Sequence, residues 1–261
     1  MKKSSLTILL IATFGLTACS EQKINEWACG HKFGQERCFN LVTKAIDAKE
    51  YETAKKYLEK SANYGDIQAQ TRLGILYTLD YVGKTDYSKA VHWLQKASNK
   101  DYRYAQVELG KLYEYGFGVE KNYQKAFELY KKSAYQGDDI AQFKLGIMYA
   151  KGKGVQQDYI QANEWFKKSA DQNYAPAQHN LGISYDHGWG VKQDYILAFQ
   201  WYEKAADQEY VSSQYAVAEM YEKGQGVERN FTKAKEYYKK ACNSEFEEVC
   251  NNIENIGKKE N

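Results

Sequence analysis

A block of sequence recurs every 36 residues along most of this chain. The dipeptide Leu-Gly marks four successive copies, and a degenerate Val-Ala pair lies one further step along. The copies are Leu73-Gly74, Leu109-Gly110, Leu145-Gly146, Leu181-Gly182 and Val217-Ala218. A fixed period of about 20 to 50 residues is typical of a solenoid, in which each unit buries its apolar face against its neighbours. We number these copies repeats one to five.

Each repeat contains two segments with helical spacing. In repeat one, Ala69, Leu73 and Tyr77 are four residues apart, which places them on one face of a first helix. A second block, around Ala90 and Trp93, has the same kind of spacing. One such hairpin cannot bury its own apolar face, so neighbouring hairpins are expected to stack.

A glycine-rich turn separates the two helices in repeats two to five. It reads Gly-x-Gly-Val, whereas repeat one has residues 80–83 in its place. The glycines predict positive φ at the end of the first helix, and the Asp or Asn that follows predicts the N-cap of the second. The predicted N-caps are Asp86, Asn122, Asp158, Asp194 and Asn230. Because each turn follows a helix and not a strand, we interpret it as a turn and not as a phosphate-binding loop.

The combined pattern, AQ..LG..Y..G.GV..D..KA..W..KA, resembles the Sel1-like repeat family, which is related to the tetratricopeptide repeats. The resemblance covers roughly residues 51–250 and implies an all-α fold, a right-handed α-solenoid of helix-turn-helix repeats. We predict an N-terminal capping unit at 28–65, five Sel1-like repeats at 66–245, and a C-terminal cap helix with a polar tail at 246–261.

Residues 1–18 have the pattern of a lipoprotein signal peptide. Two lysines precede a short apolar run, which is too short to span a membrane and ends in small residues before Cys19. We predict that Cys19 is lipidated and that residues 19–27 form a tether. By the convention of Gram-negative lipoproteins, Ser20 favours the outer membrane, with the protein facing the periplasm. The alternative is an ordinary signal peptide followed by an incidental cysteine.

Four further cysteines lie in two pairs near the two ends of the chain: Cys29, Cys38, Cys242 and Cys250. Four cysteines allow three pairings, but the two pairs lie at opposite ends of a rigid stack. We therefore predict that Cys29 bonds to Cys38 and Cys242 to Cys250, so that both ends of the stack are stapled. No Cys-x-x-Cys occurs, which disfavours a metal site.

The charge balance and the histidine pattern argue against several functions. The chain has 36 basic and 34 acidic residues, and two of the basic ones lie in the predicted signal, so the remainder is neutral and nucleic acid is an improbable partner. The histidines show no ligand or triad spacing; they are His31, His92, His179 and His187. Ser184, Asp186 and His187 crowd one helix end, where they cannot adopt the relay geometry of nucleophilic catalysis. We predict no catalytic residues, no metal and no cofactor.

The surface of the first helices is the predicted binding site. If these helices form the concave face, as in tetratricopeptide repeats, a stripe of side chains projects into the groove, apolar in the middle and charged at its flanks. The predicted groove residues are Tyr104, Val107, Lys111, Ile140, Phe143, Ile147, His179, Ile183, Tyr215 and Glu219. The alternative is that half of them pack against the adjacent repeat, Phe143 and Ile147 before the others.

These observations predict a non-enzymatic, protein-binding lipoprotein that acts as a scaffold or adaptor in the bacterial cell envelope. Its partner would be another protein, and it would meet the membrane through its lipid anchor only. The alternative role is that of an immunity protein. Some Sel1-repeat lipoproteins, which this chain resembles, neutralise phospholipase effectors delivered to the periplasm.

Overall fold

The computed structural model describes residues 29–30, 35–80, 85–242, 250 and 253. Within these residues the chain forms twelve α-helices and no strand. The helices are α1 (Gln35–Asp47), α2 (Tyr51–Tyr64), α3 (Ile67–Leu76), α4 (Tyr87–Ser98), α5 (Arg103–Tyr115), α6 (Tyr123–Tyr135), α7 (Asp139–Lys151), α8 (Tyr159–Asp171), α9 (Ala175–His187), α10 (Tyr195–Ala206), α11 (Val211–Lys223) and α12 (Phe231–Ala241). The predicted signal peptide, the tether with Cys19, residues 81–84 of repeat one, and most of the C-terminal cap lie outside the described residues.

The helices fall into two compact units, Met1–Ala105 and Gln106–Asn261, and the division lies inside α5. In the first unit α1 to α4 pack in chain order, each against the next. In the second unit α6 to α12 do the same. The all-α class and the helix-turn-helix repeat of about 36 residues are thereby confirmed.

The second helices begin at the residues predicted to cap them. Each side-chain oxygen of these Asp and Asn residues accepts hydrogen bonds from backbone N–H groups of the first helical turn, at 2.9 to 3.0 Å. The N-caps are Asp86, Asn122, Asp158, Asp194 and Asn230. They satisfy donors that have no partner within the helix, and a cap of this kind stabilises by about 1 kcal/mol.

The Leu-Gly glycine is the point of closest approach between the two helices of a hairpin. A methyl group on Gly146 would lie 2.6 Å from the ring of Phe166, and one on Gly182 would lie 2.5 Å from the ring of Tyr202. The side chain that covers the glycine always comes 20 residues later, as it does where Tyr130 covers Gly110. The glycine is therefore required because a large second-helix side chain fills the space of its missing Cβ.

The second glycine of each turn has a role that the sequence did not reveal. A methyl group on Gly190 would overlap the backbone of Tyr159 and would lie 2.7 Å from the backbone nitrogen of Ile160. Gly226 meets the start of α10 in the same way, since its methyl group would lie 2.9 Å from the nitrogen of Ile196. The turns of repeats three to five thus sit directly on the first residues of the preceding repeat's second helix.

Within each of repeats two to four, a glutamine after the second helix bonds to a glutamine of the first helix. Gln136 donates its side-chain N–H to the side-chain oxygen of Gln106 at 2.8 Å. The same bond joins Gln172 to Gln142 at 2.8 Å and Gln208 to Gln178 at 2.7 Å. The Ala-Gln motif of the sequence is explained by these bonds, because its glutamine is buried and needs a partner.

Both predicted disulfides are present, Cys29–Cys38 and Cys242–Cys250. Cys38 lies on α1 and is buried in a cluster with Val42 and Leu58. Cys242 caps the end of α12. Across the described part of the chain, no helix has the length and apolar character needed to cross a membrane.

We expect Gly190→Ala to destabilise the protein much more than Gly188→Ala. Both residues have positive φ, +68° and +71°, but a methyl group on Gly188 would meet only ordinary contacts, the nearest at 3.4 Å. The backbone strain is therefore shared, whereas the overlap with the preceding repeat is specific to Gly190. Chemical denaturation should show a free energy of unfolding lower by about 1 to 3 kcal/mol in Gly190→Ala than in Gly188→Ala. Equal losses would show that the turn does not interlock with its neighbour.

Candidate protein-binding site

The first helices of the second unit, α5 from Gln106 onwards with α7, α9 and α11, present one row of partly exposed side chains. We call this surface the first-helix face. Its residues are Glu108, Lys111, Lys144, Ile147, Asn180, Ile183, Asp186, Glu219 and Lys223. Glu108, Lys144 and Asn180 share one position of the repeat, and Lys111, Ile147, Ile183 and Glu219 share another, so the face is a product of the 36-residue period.

Side-chain contacts make this face continuous within the second unit. Lys144 on α7 forms an ion pair with Glu114 on α5, with 3.3 Å between Nζ and Oε2. The ring of Phe143 on α7 contacts that of Tyr174 at the start of α9, with centroids 5.4 Å apart. His179 on α9 bonds to Ser213 on α11 at 2.8 Å. Each first helix thus touches the next.

One end of the face is charged and internally paired. Glu114 is only 6 % exposed, and its Oε2 accepts hydrogen bonds from the hydroxyl of Tyr130 at 2.8 Å and from Lys144. Burial and the neighbouring Glu114 carboxylate raise the pKa of Tyr130 above its ordinary value, so its hydroxyl stays a donor. Lys111 pairs with Glu108 at 2.7 Å.

The middle of the face is apolar. In repeats two and five, a carboxylate accepts a bond from a tyrosine 16 residues later, as Glu222 does from Tyr238 at 2.8 Å. Repeat three has Ala150 and Phe166 at those two positions, so both members of the pair are replaced by apolar residues. Ile147 and Ile183 are half-buried beside this site.

The other end of the face is acidic. Asp186, Glu219 and Glu222 lie on α9 and α11, and Glu219 pairs with Lys223 at 3.1 Å. Burial raises the pKa of Tyr202 above its ordinary value, and the nearby carboxylate of Asp186 raises it further. The face therefore runs from paired charges through an apolar middle to a net negative end.

The predicted groove residues divide by burial. Val107 is 3 % exposed and belongs to the hydrophobic core, so we remove it from the binding surface. Phe143 packs on Phe166 and Tyr174, and Tyr215 packs on Tyr238, so these rings are half-buried.

Several predicted residues remain accessible on the described chain. Lys111, Ile147, Ile183 and Glu219 lie on the first-helix face, and Ile140 is half-buried beside the cluster around Leu145. Tyr104 is 47 % exposed but belongs to the first unit, where it stacks with Arg103.

His179 is packed inside the face and is not displayed on it. Its ring lies between those of Tyr202 and Tyr210, with centroids 5.3 and 5.2 Å away. Burial lowers its pKa to about 4. Its partner Ser213 is 0 % exposed, so the pair cannot attack a substrate. We assign it a packing role.

The side chains at the helix end around Ser184 are also not arranged as a Ser-His-Asp triad. Ser184 donates to the carbonyl oxygen of Asn180, and His187 Nδ1 lies 3.1 Å from the carbonyl oxygen of Ile183. Both side chains are thus directed to their own helix. Within the described residues, no group of three or more His, Cys, Asp or Glu side chains is placed to hold a metal ion.

The model of the Sel1 repeat matches six successive segments of the chain. They span residues 37–66, 67–102, 103–138, 139–174, 175–210 and 211–245. The chain belongs to the Sel1 repeat family. The first segment overlaps the range predicted as the N-terminal capping unit, 28–65, and ends one residue beyond it, and the other five follow the repeats defined by the Leu-Gly copies.

Solved structures of Sel1 repeat proteins are similar to this chain. A protective antigen of uropathogenic Escherichia coli is 29 % identical with a TM-score of 0.77, and the match covers 85 % of this chain and 48 % of that one. A Sel1 repeat protein from Oxalobacter formigenes is 30 % identical with a TM-score of 0.73, covering 77 % and 82 %. An immunity protein from Pseudomonas aeruginosa shares the fold at 20 % identity and a TM-score of 0.53, covering 78 % and 81 %.

The chain thus spans about half the length of the Escherichia coli antigen. No curated protein matches the sequence significantly. The feature that these three structures share with the chain is the fold.

Sequence reasoning missed the polar residues that shape the face. Lys144 and Asn180 were not among the predicted groove residues, although Lys144 forms an ion pair with Glu114 between successive first helices. The sequence does carry a signal of these polar positions, which is visible when equivalent positions of the repeats are compared. Carboxylate and tyrosine occur together in repeats two, four and five, and both are absent in repeat three.

The buried His179 should make the stability of this Sel1 repeat protein pH-dependent. Its pKa is about 4 in the folded chain against 6.5 for an ordinary histidine, so between these values the unfolded chain binds more protons. The free energy of unfolding should therefore fall as the pH falls from about 6.5 towards 4. From pH 7 to pH 5, the wild type should lose about 1 to 2 kcal/mol more than His179→Gln. Equal losses, or a resonance assigned to His179 by its absence from His179→Gln that titrates near 6.5, would contradict the assignment.

Proposed function

We propose that this Sel1 repeat protein is a non-enzymatic binding module that holds another protein on its first-helix face. The observation that carries the proposal is the continuity of that face in the second unit, with Ile147 and Ile183 between charged ends. A few apolar anchors surrounded by polar side chains are the usual anatomy of a protein interface. The acidic end around Glu219 and Asp186 favours a partner with a basic segment there.

The proposed setting is the bacterial cell envelope, with the chain exported and lipid-anchored through Cys19. The two disulfides support export, since such bonds persist in oxidising compartments. The sequence before Cys19 supports the anchor, and Ser20 favours the outer membrane, facing the periplasm. There the module would serve as a scaffold or adaptor for an envelope component.

A second proposed role is that of an immunity protein for a toxin such as a phospholipase effector. The immunity protein from Pseudomonas aeruginosa has the same fold over 78 % of this chain, although at 20 % identity the likeness extends to the fold alone. A neutral binder held at a bilayer suits an inhibitor of enzymes that act on lipids. The two roles share the face and differ in the partner.

The partner can be identified by cross-linking the tagged protein in its native membrane, recovering it, and analysing the captured proteins by mass spectrometry. We expect Lys111→Glu with Glu219→Lys to reduce the recovery of the specific partner by roughly tenfold or more, because both ends of the face change sign. The matched control is Lys132→Glu with Glu236→Lys, the same exchange at exposed positions of the second helices α6 and α12.

Recovery of a toxin would establish the immunity role, and recovery of resident envelope machinery would establish the scaffold. The proposal of a first-helix binding site would be wrong if the face variant, with unchanged circular dichroism, captured the same partner as well as the control variant does.

We expect Cys19→Ala to release the protein from the membrane fraction. Two or three acyl chains contribute about 0.8 kcal/mol for each buried methylene, whereas the remaining chain has no equivalent attachment of that strength. Fractionation after export, with the membranes washed in high salt to remove electrostatically bound protein, should find the variant in the soluble periplasmic fraction and the wild type in the membrane. A variant that stays in the salt-washed membrane after removal of its signal would refute the lipid anchor.

A further inference from the structure

Asn163 is the one buried polar side chain at a position that the other repeats fill with Val91, Phe127, Phe199 and Lys235. Repeats two and four have Phe127 and Phe199 at this position, and each makes an edge contact with a tyrosine at 5.4 and 5.3 Å. Repeat three has Asn163, which is only 7 % exposed. Its Nδ2 donates to the backbone oxygen of Trp189 at 2.6 Å, while its Oδ1 has no hydrogen-bond partner. A buried unpaired acceptor costs stability, so this exchange needs a reason.

The residue whose backbone Asn163 contacts, Trp189, suggests what the exchange is for. Trp189 stands between the two glycines of the turn of repeat four and is 44 % exposed. Its ring stacks on Tyr159 at 5.6 Å and lies 4.8 Å from the ring of His187. The side chain is therefore fixed at its base by two rings and one hydrogen bond, and its remaining surface faces solvent.

Two isoleucines extend this apolar surface along the turns. Ile160 and Ile196 are 61 % and 60 % exposed at the first turns of α8 and α10. Gly190 packs against the backbone at Ile160, which places that side chain next to the turn that carries Trp189. Gly226 packs in the same way at Ile196. We call these exposed side chains the turn-edge patch; its members are Tyr159, Ile160, His187, Trp189 and Ile196.

Lysines and aspartates flank the turn-edge patch in equal number, Lys151, Lys153 and Lys192 against Asp158, Asp186 and Asp194. Lys151 ends α7 and Lys192 lies in the turn of repeat four; both are exposed, and neither forms an ion pair with a described residue. The carboxylates beside them are engaged. Asp158 and Asp194 accept backbone N–H groups as N-caps, and Asp186 lies 3.8 Å from His187.

We propose that the turn-edge patch docks on the surface of an anionic phospholipid bilayer. Trp189, Ile160 and Ile196 would enter the boundary between headgroups and acyl chains, where tryptophan is favoured because its ring is apolar and its N–H is polar. Lys151 and Lys192 would lie among the lipid phosphates, and each such lysine contributes about 1 kcal/mol.

The character of the patch favours lipid over a protein partner. Its isoleucines project from turns and first helical turns with more than half of their surface exposed, whereas protein hot spots fill pockets enclosed by a rim. The proposed anchor at Cys19 adds proximity, since nine tether residues reach at most about 30 Å. The patch would thus be a second membrane contact, beyond the lipid anchor that the sequence predicts.

The experiment uses the full mature chain with Cys19→Ser, so that the proposed anchor contributes nothing. Vesicles of phosphatidylethanolamine with phosphatidylglycerol should sediment the protein at low salt and shift its tryptophan emission to shorter wavelength, and vesicles of phosphatidylcholine should bind it far less. Trp189→Ser combined with Ile160→Ser and Ile196→Ser should weaken binding by roughly tenfold or more. The matched control is Ile46→Ser with Tyr64→Ser, which removes exposed apolar side chains of the first unit and should bind as the wild type does.

Asn163→Phe tests the positioning role separately, because it leaves every residue of the turn-edge patch in place. It restores the residue of repeats two and four, so we expect an unfolding midpoint at least equal to that of the wild type and vesicle binding weakened roughly threefold. Unchanged binding would remove Asn163 from the mechanism.

Absence of wild-type binding to the anionic vesicles, or a triple variant that binds as the control does, would overturn the docking site. A triple variant that loses the cross-linked protein partner with unaltered vesicle binding would also overturn it and reassign the patch to a protein interface. Neither result bears on the first-helix face or on Cys19, whose experiments use cross-linking and fractionation.

Discussion

The close approach of two helices at a single glycine is the contact on which repeats one to four of this chain depend. Phe166 fills the space where a Cβ of Gly146 would stand, and Tyr202 does the same at Gly182. This contact sets the distance between the helices of a hairpin, and the next turn then rests on the start of the preceding second helix through Gly190. Because both contacts exclude even a methyl group, the geometry of one repeat is transmitted to the next with little freedom, and the side chains of the first-helix face stay in line.

The features that the sequence predicted are those that depend on position in the repeat. Helices, N-caps such as Asp158, turns and both disulfides follow from the period, because equivalent positions have equivalent surroundings. Individual exposure could not be predicted as well. An allowance of one residue along a helix is a rotation of about 100°, and that rotation separates Val107, which is buried in the core, from Glu108, which lies on the face.

Contacts between residues far apart in the chain were also beyond reach from the sequence. The bonds of Gln106 and of Asn163 join residues 30 and 26 positions apart, and a periodic pattern marks such residues without saying what they touch. A comparison of equivalent positions in all repeats predicts such contacts better than the sequence of one repeat does. The joint loss of carboxylate and tyrosine at Ala150 and Phe166 is visible in the sequence, and the structure explains it as the loss of one hydrogen-bonded pair.

The departures from the repeat are where function is most readily located. Residues that every repeat shares maintain the stack, so a substitution in a single repeat is either a local repair or a local specialisation. The exchange to Ala150 and Phe166 removes both partners of the hydrogen bond, so it leaves no buried polar group unpaired. Asn163 differs, because its Oδ1 has no partner while its Nδ2 bonds to the backbone of an exposed tryptophan. A buried acceptor without a partner is retained when the residue that it positions contributes to function and not to stability. Repeats three and four of this protein therefore carry both the apolar middle of the first-helix face and the turn-edge patch.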